Sequence, residues 1–270
     1  MPENYALPQD YLESNRLNLH HYLLREVFGY LLHPSIPTGD PNLRVADIGT
    51  GTGVWLTDLA RQLPSNVRLD GLDISTESIP PKQWLPKNVT FRKWDIHSDV
   101  PEDLVGLYDI IHISLFVFVI KTEQFPAVMS RLLKLLKPGG YLQWLETDNS
   151  SFRIKKASPE NKNEALSSLI SLMISSSNET NPSWVSSLAD GLLENGFVAV
   201  ERDARDPSPE LIIPLHECNL WLHENMSRQT KNPEWSEAIR KILPEVLRET
   251  QAGAAYDFTR LIVVGRKPLE

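Results

Sequence analysis

The sequence predicts an α/β fold, a doubly wound and mostly parallel sheet with helices on its faces. Three observations predict it. Short β-rich runs alternate with amphipathic helical stretches from residue 43 onward, which is the pattern of βαβ units joined by right-handed crossovers. A glycine-rich segment, VADIGTGTGVW from Val45 to Trp55, follows the first apolar run, and glycine weakens a strand interior, so it marks a sharp turn or a close approach to the backbone. The chain has 270 residues, 41% hydrophobic and 23% charged, enough for one large domain with a well-buried core.

The elements follow in order. Residues 10–32 read as one long helix, with Tyr11, Leu17, Leu19, Leu23, Leu24, Val27, Phe28 and Leu31 near helical spacing and with Pro34 and Pro37 ending it. Five strands come next, in LRVADIG, VRLDGLDIS, VTFRKWDI, YDIIHISL and GYLQWLE, with helices in VWLTDLARQL and FPAVMSRLLKLLKPGG. Beyond them, NEALSSLISLMISSS and PSWVSSLADGLLENG read as helices and FVAVERDAR as a strand. LHECNLWLHENMSRQ is helical, PEWSEAIRKILPEVLRETQ is a helix interrupted by Pro244, and FTRLIVVGRKP closes the chain as the seventh strand.

Composition excludes several classes of function. The formal net charge of -8 and the lack of a basic run longer than Arg153–Lys156 argue against nucleic-acid binding, which needs clustered Lys and Arg. The single cysteine, Cys218, forms no internal disulfide and suggests no oxidising compartment. The N-terminal residues lack a secretory pattern, and no apolar run has the length of a membrane span. The expectation is a soluble cytoplasmic protein with no membrane partner.

The glycine turn lies where the first strand passes into a helix, the place at which open parallel sheets bind ligands. Its spacing is G-x-G-x-G, with Asp47 two residues before Gly49. A dinucleotide site has G-x-G-x-x-G, and a carboxylate at position 47 would repel a pyrophosphate. It suits a ligand that carries an amino group and a sulfonium, which points to S-adenosylmethionine. Gly49 and Gly51 tighten the turn and open its backbone to the ligand, and Gly53 lets the helix start close to the sheet. Asp73 ends the second strand, where ribose hydroxyls are recognised. Asp95 follows the third strand, placed to accept from an adenine amino group with Ile96 beside the ring. One such acid reads as a loop carboxylate or a helix cap; three at successive strand ends beside the glycine turn read as a set. Thr50, Ile74, Arg16 and Ser114 complete the residues assigned to the cofactor.

ADIGTGTG, LDIS, WDI, YDIIHIS and LKPGGYLQWLE resemble the successive motifs of class I S-adenosylmethionine-dependent methyltransferases. The resemblance covers about residues 43–146 and implies a Rossmann-like seven-stranded sheet. A narrower resemblance, to the fungal LaeA-like group, rests on Tyr5, Glu13, Arg16, Leu17 and His21 near the start and on FTRLIVVGRKP at the end. The chain departs from that pattern at His20, where a glutamine is usual, and at Ser114, where an arginine is frequent. The organisation expected is one domain over residues 1–270: a helical cap (1–40), a cofactor-binding half (41–150) and a substrate side (151–270).

Methyl transfer from a sulfonium requires alignment and exclusion of water, and an oxygen or nitrogen acceptor also calls on a base. The candidates are His112 on the fourth strand, Glu146 at the end of the fifth, facing the pocket mouth, and His20 on the cap helix, one turn from Arg16. His112 reads equally as a buried histidine hydrogen-bonded to backbone, and Arg16 equally as a partner of Glu13. No metal is expected: Asp148 and Asn149 stand after the fifth strand, but Ser114 offers no carboxylate after the fourth. His216 and His223 lack a third ligand. The apolar stretch SLFVFVI, Ser114 to Ile120, reads as a wall for an apolar or polycyclic substrate or as a buried helix start. Trp184, Trp221, Trp235 and Phe116 read as core or as pocket lining. The resemblance implies methyl transfer to oxygen, nitrogen or carboxylate of a small secondary metabolite. Two alternatives remain open: a methyltransferase-fold cyclase or pericyclase that keeps its cofactor intact, and a LaeA-like regulatory protein.

Overall fold

The computed structural model describes residues 10–176 and 184–270, with the side chains of 174–176 left aside. Tyr5, Pro182 and Ser183 lie outside the described residues. Helix α1 spans Tyr11–Phe28. Asp10 caps it by accepting from the Glu13 amide at 2.9 Å. It stops before the two prolines, because Gly29 adopts φ 72° and its N–H closes onto the Arg25 carbonyl.

The sheet order is β3-β2-β1-β4-β5-β7-β6. The strands are β1 (Arg44–Ile48), β2 (Arg68–Asp73), β3 (Val89–Lys93), β4 (Tyr108–Ser114), β5 (Leu136–Lys156), β6 (Val198–Arg205) and β7 (Ala254–Arg266). The first five are parallel, and β7 runs antiparallel to both β5 and β6. The chain winds outward from β1 to β3 and then returns to place β4 on the other side of β1. The switch point therefore lies between β1 and β4, where ligands bind in such sheets. Val45, Ala46, Ile110, Ile111 and Ile113 are almost fully buried there, as strands covered on both faces must be.

The remaining helices are α2 (Val54–Leu59), α3 (Phe125–Leu135), α4 (Glu164–Ser176), α5 (Leu188–Glu194), α6 (Pro209–Gln229) and α7 (Pro233–Gln251). Pro244 does not interrupt α7. Ile239 and Val246, on either side of it, pack in one cluster with Leu166 and Leu169 of α4 and Tyr256 of β7. Burial on both flanks outweighs one missing hydrogen bond. The pairing of β5 with β7 continues past an irregularity between Asp148 and Arg153, to Lys156 opposite Ala254. This two-stranded extension carries Phe152, Tyr256 and Phe258 toward α4 and α7. No helix among the described residues is long and apolar enough to cross a membrane.

Candidate active site

A cavity of about 660 Å³ opens at the carboxyl ends of β1, β2 and β4 and runs beneath α1 toward α4 and α6. All three turn glycines have positive φ, 68° at Gly49, 56° at Gly51 and 74° at Gly53. At Gly51 an added Cβ would meet only a Leu17 methyl at 3.6 Å, so its backbone geometry is what calls for glycine. Its N–H donates to Asp73 Oδ2 at 2.9 Å, while Oδ1 of the same carboxylate accepts from the Ser75 amide at 3.0 Å. At Gly49 a Cβ would lie 2.4 Å from the Phe116 ring, and at Gly53 2.6 Å from that of Phe91. Gly53 stands outside the cavity wall and serves the close start of α2.

Asp47, Thr50, Asp73, Ile74, Asp95, Ile96 and Ser114 all line the cavity. Asp95 Oδ1 accepts from the His97 amide at 2.9 Å, which fixes the loop after β3. Burial raises the Asp73 carboxyl above its ordinary range against the pull of its backbone donors. Asp47 and His112 are register neighbours on β1 and β4, and His112 Nδ1 lies 2.7 Å from Asp47 Oδ1. The His112 ring stacks on Trp55, centroids 3.9 Å apart at 4°. The partner of this buried histidine is thus a carboxylate rather than backbone.

Helix α1 forms the roof. Arg16 and His20 share its cavity face. Arg16 holds Glu13 through two hydrogen bonds, at 2.9 and 2.6 Å, with both side chains buried rather than on the surface. Glu13 also accepts from Asn225 of α6 at 2.6 Å, which ties the roof to that helix. His20 is buried with neither ring nitrogen partnered, and burial holds it well below an ordinary imidazole pKa. His21 instead meets Asp58 of α2 at 3.0 Å, and Arg25 shares that carboxylate.

Residues Ser114 to Val119 form one wall, as a turn rather than a helix start. Leu115 has φ 59°. Glu146 is fully buried behind this wall and outside the lining, not at the cavity mouth. Its Oε1 accepts from the Phe116 amide at 2.5 Å and from Trp144 Nε1 at 3.1 Å. Burial lifts its pKa to about 8. Trp184 donates to the Ile120 carbonyl at 3.0 Å and stacks on Phe125, so it braces the wall from outside. Trp221 and Trp235 stand away from the cavity as well.

Residues 45–140 match the methyltransferase domain family. That stretch is about a third of the chain and contains β1 to β4 and the glycine turn. Among curated proteins, Methyltransferase grgD of Penicillium sp is 34% identical over 171 residues, which cover 59% of this chain and 58% of that protein. The secondary metabolism regulator laeA of Fusarium oxysporum is 29% identical over 153 residues, covering 54% and 46% respectively. The chain spans about half the length of the curated relatives it matches. Among solved structures, the [4+2]-cyclase SpnF shares the fold with a TM-score of 0.54 at 16% identity, covering 95% of each chain.

The cofactor of this domain type is S-adenosylmethionine, and the residues present fit it. Three carboxylates reach the cavity at the strand ends, and the two arginines of the lining are already held by Glu13 and Asp58. The charge left over is negative, which suits a cationic ligand. The residues that sequence reasoning missed lie beyond the matched stretch. Asn219 and His223 of α6 and Tyr256 and Phe258 of β7 line the far end of the cavity. They come from four points along some forty residues of chain, and no spacing rule links them. Asn149 also lines the cavity, and no cluster of three metal-ligating side chains occurs among the described residues.

Proposed function

We propose that the protein transfers a methyl group from S-adenosylmethionine to a nucleophilic atom of a small secondary metabolite. The observation that carries this reading is the continuity of the cavity: one end is walled by glycine backbone and carboxylates, the other by apolar and aromatic side chains. A charged cofactor and an apolar acceptor can thus meet without water between them. Bound S-adenosylmethionine supplies an electrophilic methyl group on a sulfonium. Asp47, Gly49 and Gly51 hold its amino-acid part, Asp73 and Ile74 its ribose, and Asp95 and Ile96 its adenine, with Thr50, Arg16 and Ser114 lining the same end. The wall from Ser114 to Val119 orients the acceptor and keeps water out.

His112 is the base in this reading. Its Nδ1–H donates to the Asp47 carboxylate, which leaves Nε2 as the basic atom, in the way a carboxylate orients a general-base histidine elsewhere. His20 orients the acceptor from the roof, with two ring nitrogens that nothing in the protein occupies. Glu146 acts by holding the Phe116 amide.

The test is incubation of the full chain with S-adenosylmethionine and a culture extract of the encoding organism, followed by mass spectrometry. S-adenosylhomocysteine together with a product heavier by one methylene supports methyl transfer. A rearranged product with the cofactor returned intact moves the assignment to a cyclase. Tight binding with no product in any extract favours the regulatory role that the laeA relatives are named for.

A further inference from the structure

The far end of the cavity is uncharged. Phe152, Met173, Asn219, His223, Tyr256 and Phe258 are its principal side chains, and none of the described lining residues that α4, α6 and β7 contribute is Asp, Glu, Lys or Arg. The buried cation nearest in sequence, Arg260, is outside the lining and is engaged by Asp257 and the Phe258 carbonyl.

Within this neutral end sits one polar pair that does not satisfy itself. His223 Nε2 and Tyr256 Oη are 2.7 Å apart, and His223 Nδ1 is buried with no partner. A neutral imidazole has one N–H and one bare nitrogen. If the tyrosine O–H donates to Nε2, the histidine proton is on Nδ1 and lacks an acceptor. If Nε2–H donates to the tyrosine oxygen, the tyrosine O–H lacks one. Either tautomer leaves the pair one acceptor short, and a buried donor without an acceptor is costly.

We propose that the His223–Tyr256 pair recognises the substrate, selecting an uncharged ring-bearing molecule through an oxygen that accepts a hydrogen bond, such as that of a phenol, ketone or amide. Carboxylates and ammonium groups are turned away, because the cations near this end, Arg16 and Arg260, are already held by Glu13 and Asp257, and a charge brought here loses its water without a free partner. Burial supports the neutral state of the pair: it depresses His223 to a pKa of about 3, with His216 and Arg16 adding to the effect. The substrate role rests on the methyl-transfer reading; the binding preference does not.

The experiment uses the full chain saturated with S-adenosylhomocysteine and calorimetric titration of three probes of one ring size: 2-naphthol, 2-naphthoate and 2-naphthylmethylammonium. The expected result is naphthol binding at least about tenfold more tightly than either charged probe. Tyr256→Phe keeps the ring and removes the hydroxyl; it should weaken naphthol by about tenfold and leave S-adenosylhomocysteine affinity unchanged. Naphthoate binding as well as naphthol, no binding of any probe, or a Tyr256→Phe variant with full naphthol affinity (the pair then being served by water) each overturns the proposal. Should that variant fail to fold, the three-probe comparison on the unaltered chain decides. Failure to bind S-adenosylhomocysteine, with the naphthol preference intact in its absence, would remove the methyl-transfer reading and leave the recognition pair standing.

Discussion

The two ends of the cavity solve opposite problems. At the strand ends, charged side chains are held by neighbouring backbone: Asp73 by the Gly51 and Ser75 amides, Asp95 by the His97 amide. At the far end and on the roof above it, neutral polar groups are buried and left short of partners, as His223 and His20 are. The first arrangement is complete within the protein and needs only a cation. The second is incomplete until something brings hydrogen-bonding atoms to it. A preformed, charged site suits a ligand common to many enzymes, and a neutral, unsatisfied one suits a ligand particular to this one.

The sharpest contrast should come from His112, which stands between the ends. His112→Ala is expected to lower turnover by about a hundredfold or more, the usual scale for a lost general base, with cofactor affinity nearly unchanged. A parallel loss of affinity would show that the imidazole serves mainly to hold Asp47. Next in size is Gly49→Ala. Positive φ with a Cβ costs roughly 1–2 kcal/mol, and the Phe116 ring adds a clash. Urea unfolding should show a loss of about 2–3 kcal/mol in all. The double variant with Phe116→Ala should recover the clash but not the backbone strain; full recovery would mean the turn itself is relaxed.

Asp73→Ala should weaken S-adenosylmethionine by about tenfold or somewhat more and leave 2-naphthol untouched. Equal weakening of both by calorimetry would merge the two ends into one site. The smallest effect lies in the pH dependence of stability. Burial holds His20 and His216 below the ordinary imidazole range, His216 near 4, as it does His223. The unfolded chain protonates these three below about pH 6.5 while the folded chain does not. Stability should therefore fall as pH drops from 6.5 toward 4. Glu146, raised to about 8, acts in the other direction. Its contribution is complete below the ordinary glutamate range and is lost as pH rises toward 8. Thermal melts of Glu146→Gln should keep the acid limb and flatten the alkaline one; an unchanged alkaline limb would place that loss elsewhere.

Much of the strand-end site was legible in the sequence, because its chemistry is local. Asp47, Gly49, Gly51, Asp73 and Asp95 each stand within a few residues of a strand end that hydrophobic runs reveal, and all five line the cavity. The far end was not legible. His223 and Tyr256 are 33 residues apart and meet only because α6 and α7 fold back across the extension of β5 and β7. Glu146 read as a mouth residue because its place at the end of the fifth strand's apolar run is visible, while the turn after Leu115 that brings the Phe116 amide over it is not. The paired prolines misplaced the end of α1 for a similar reason: Gly29 had already closed the helix, with a conformation that only its φ reveals.

The wall from Ser114 to Ile120 is fastened through its main chain: at the Leu115 amide by the Leu145 carbonyl, at the Phe116 amide by Glu146, at the Val119 carbonyl by His97 and at the Ile120 carbonyl by Trp184. None of these fastenings depends on the wall's own side chains. Phe118, which is exposed and outside the core that holds Val117 and Val119, can thus be exchanged in descent without moving the glycine turn or the ends of the wall. A lineage holding this scaffold can try new acceptors by altering a single letter, and the inherited half of the reaction stays in place while it does so.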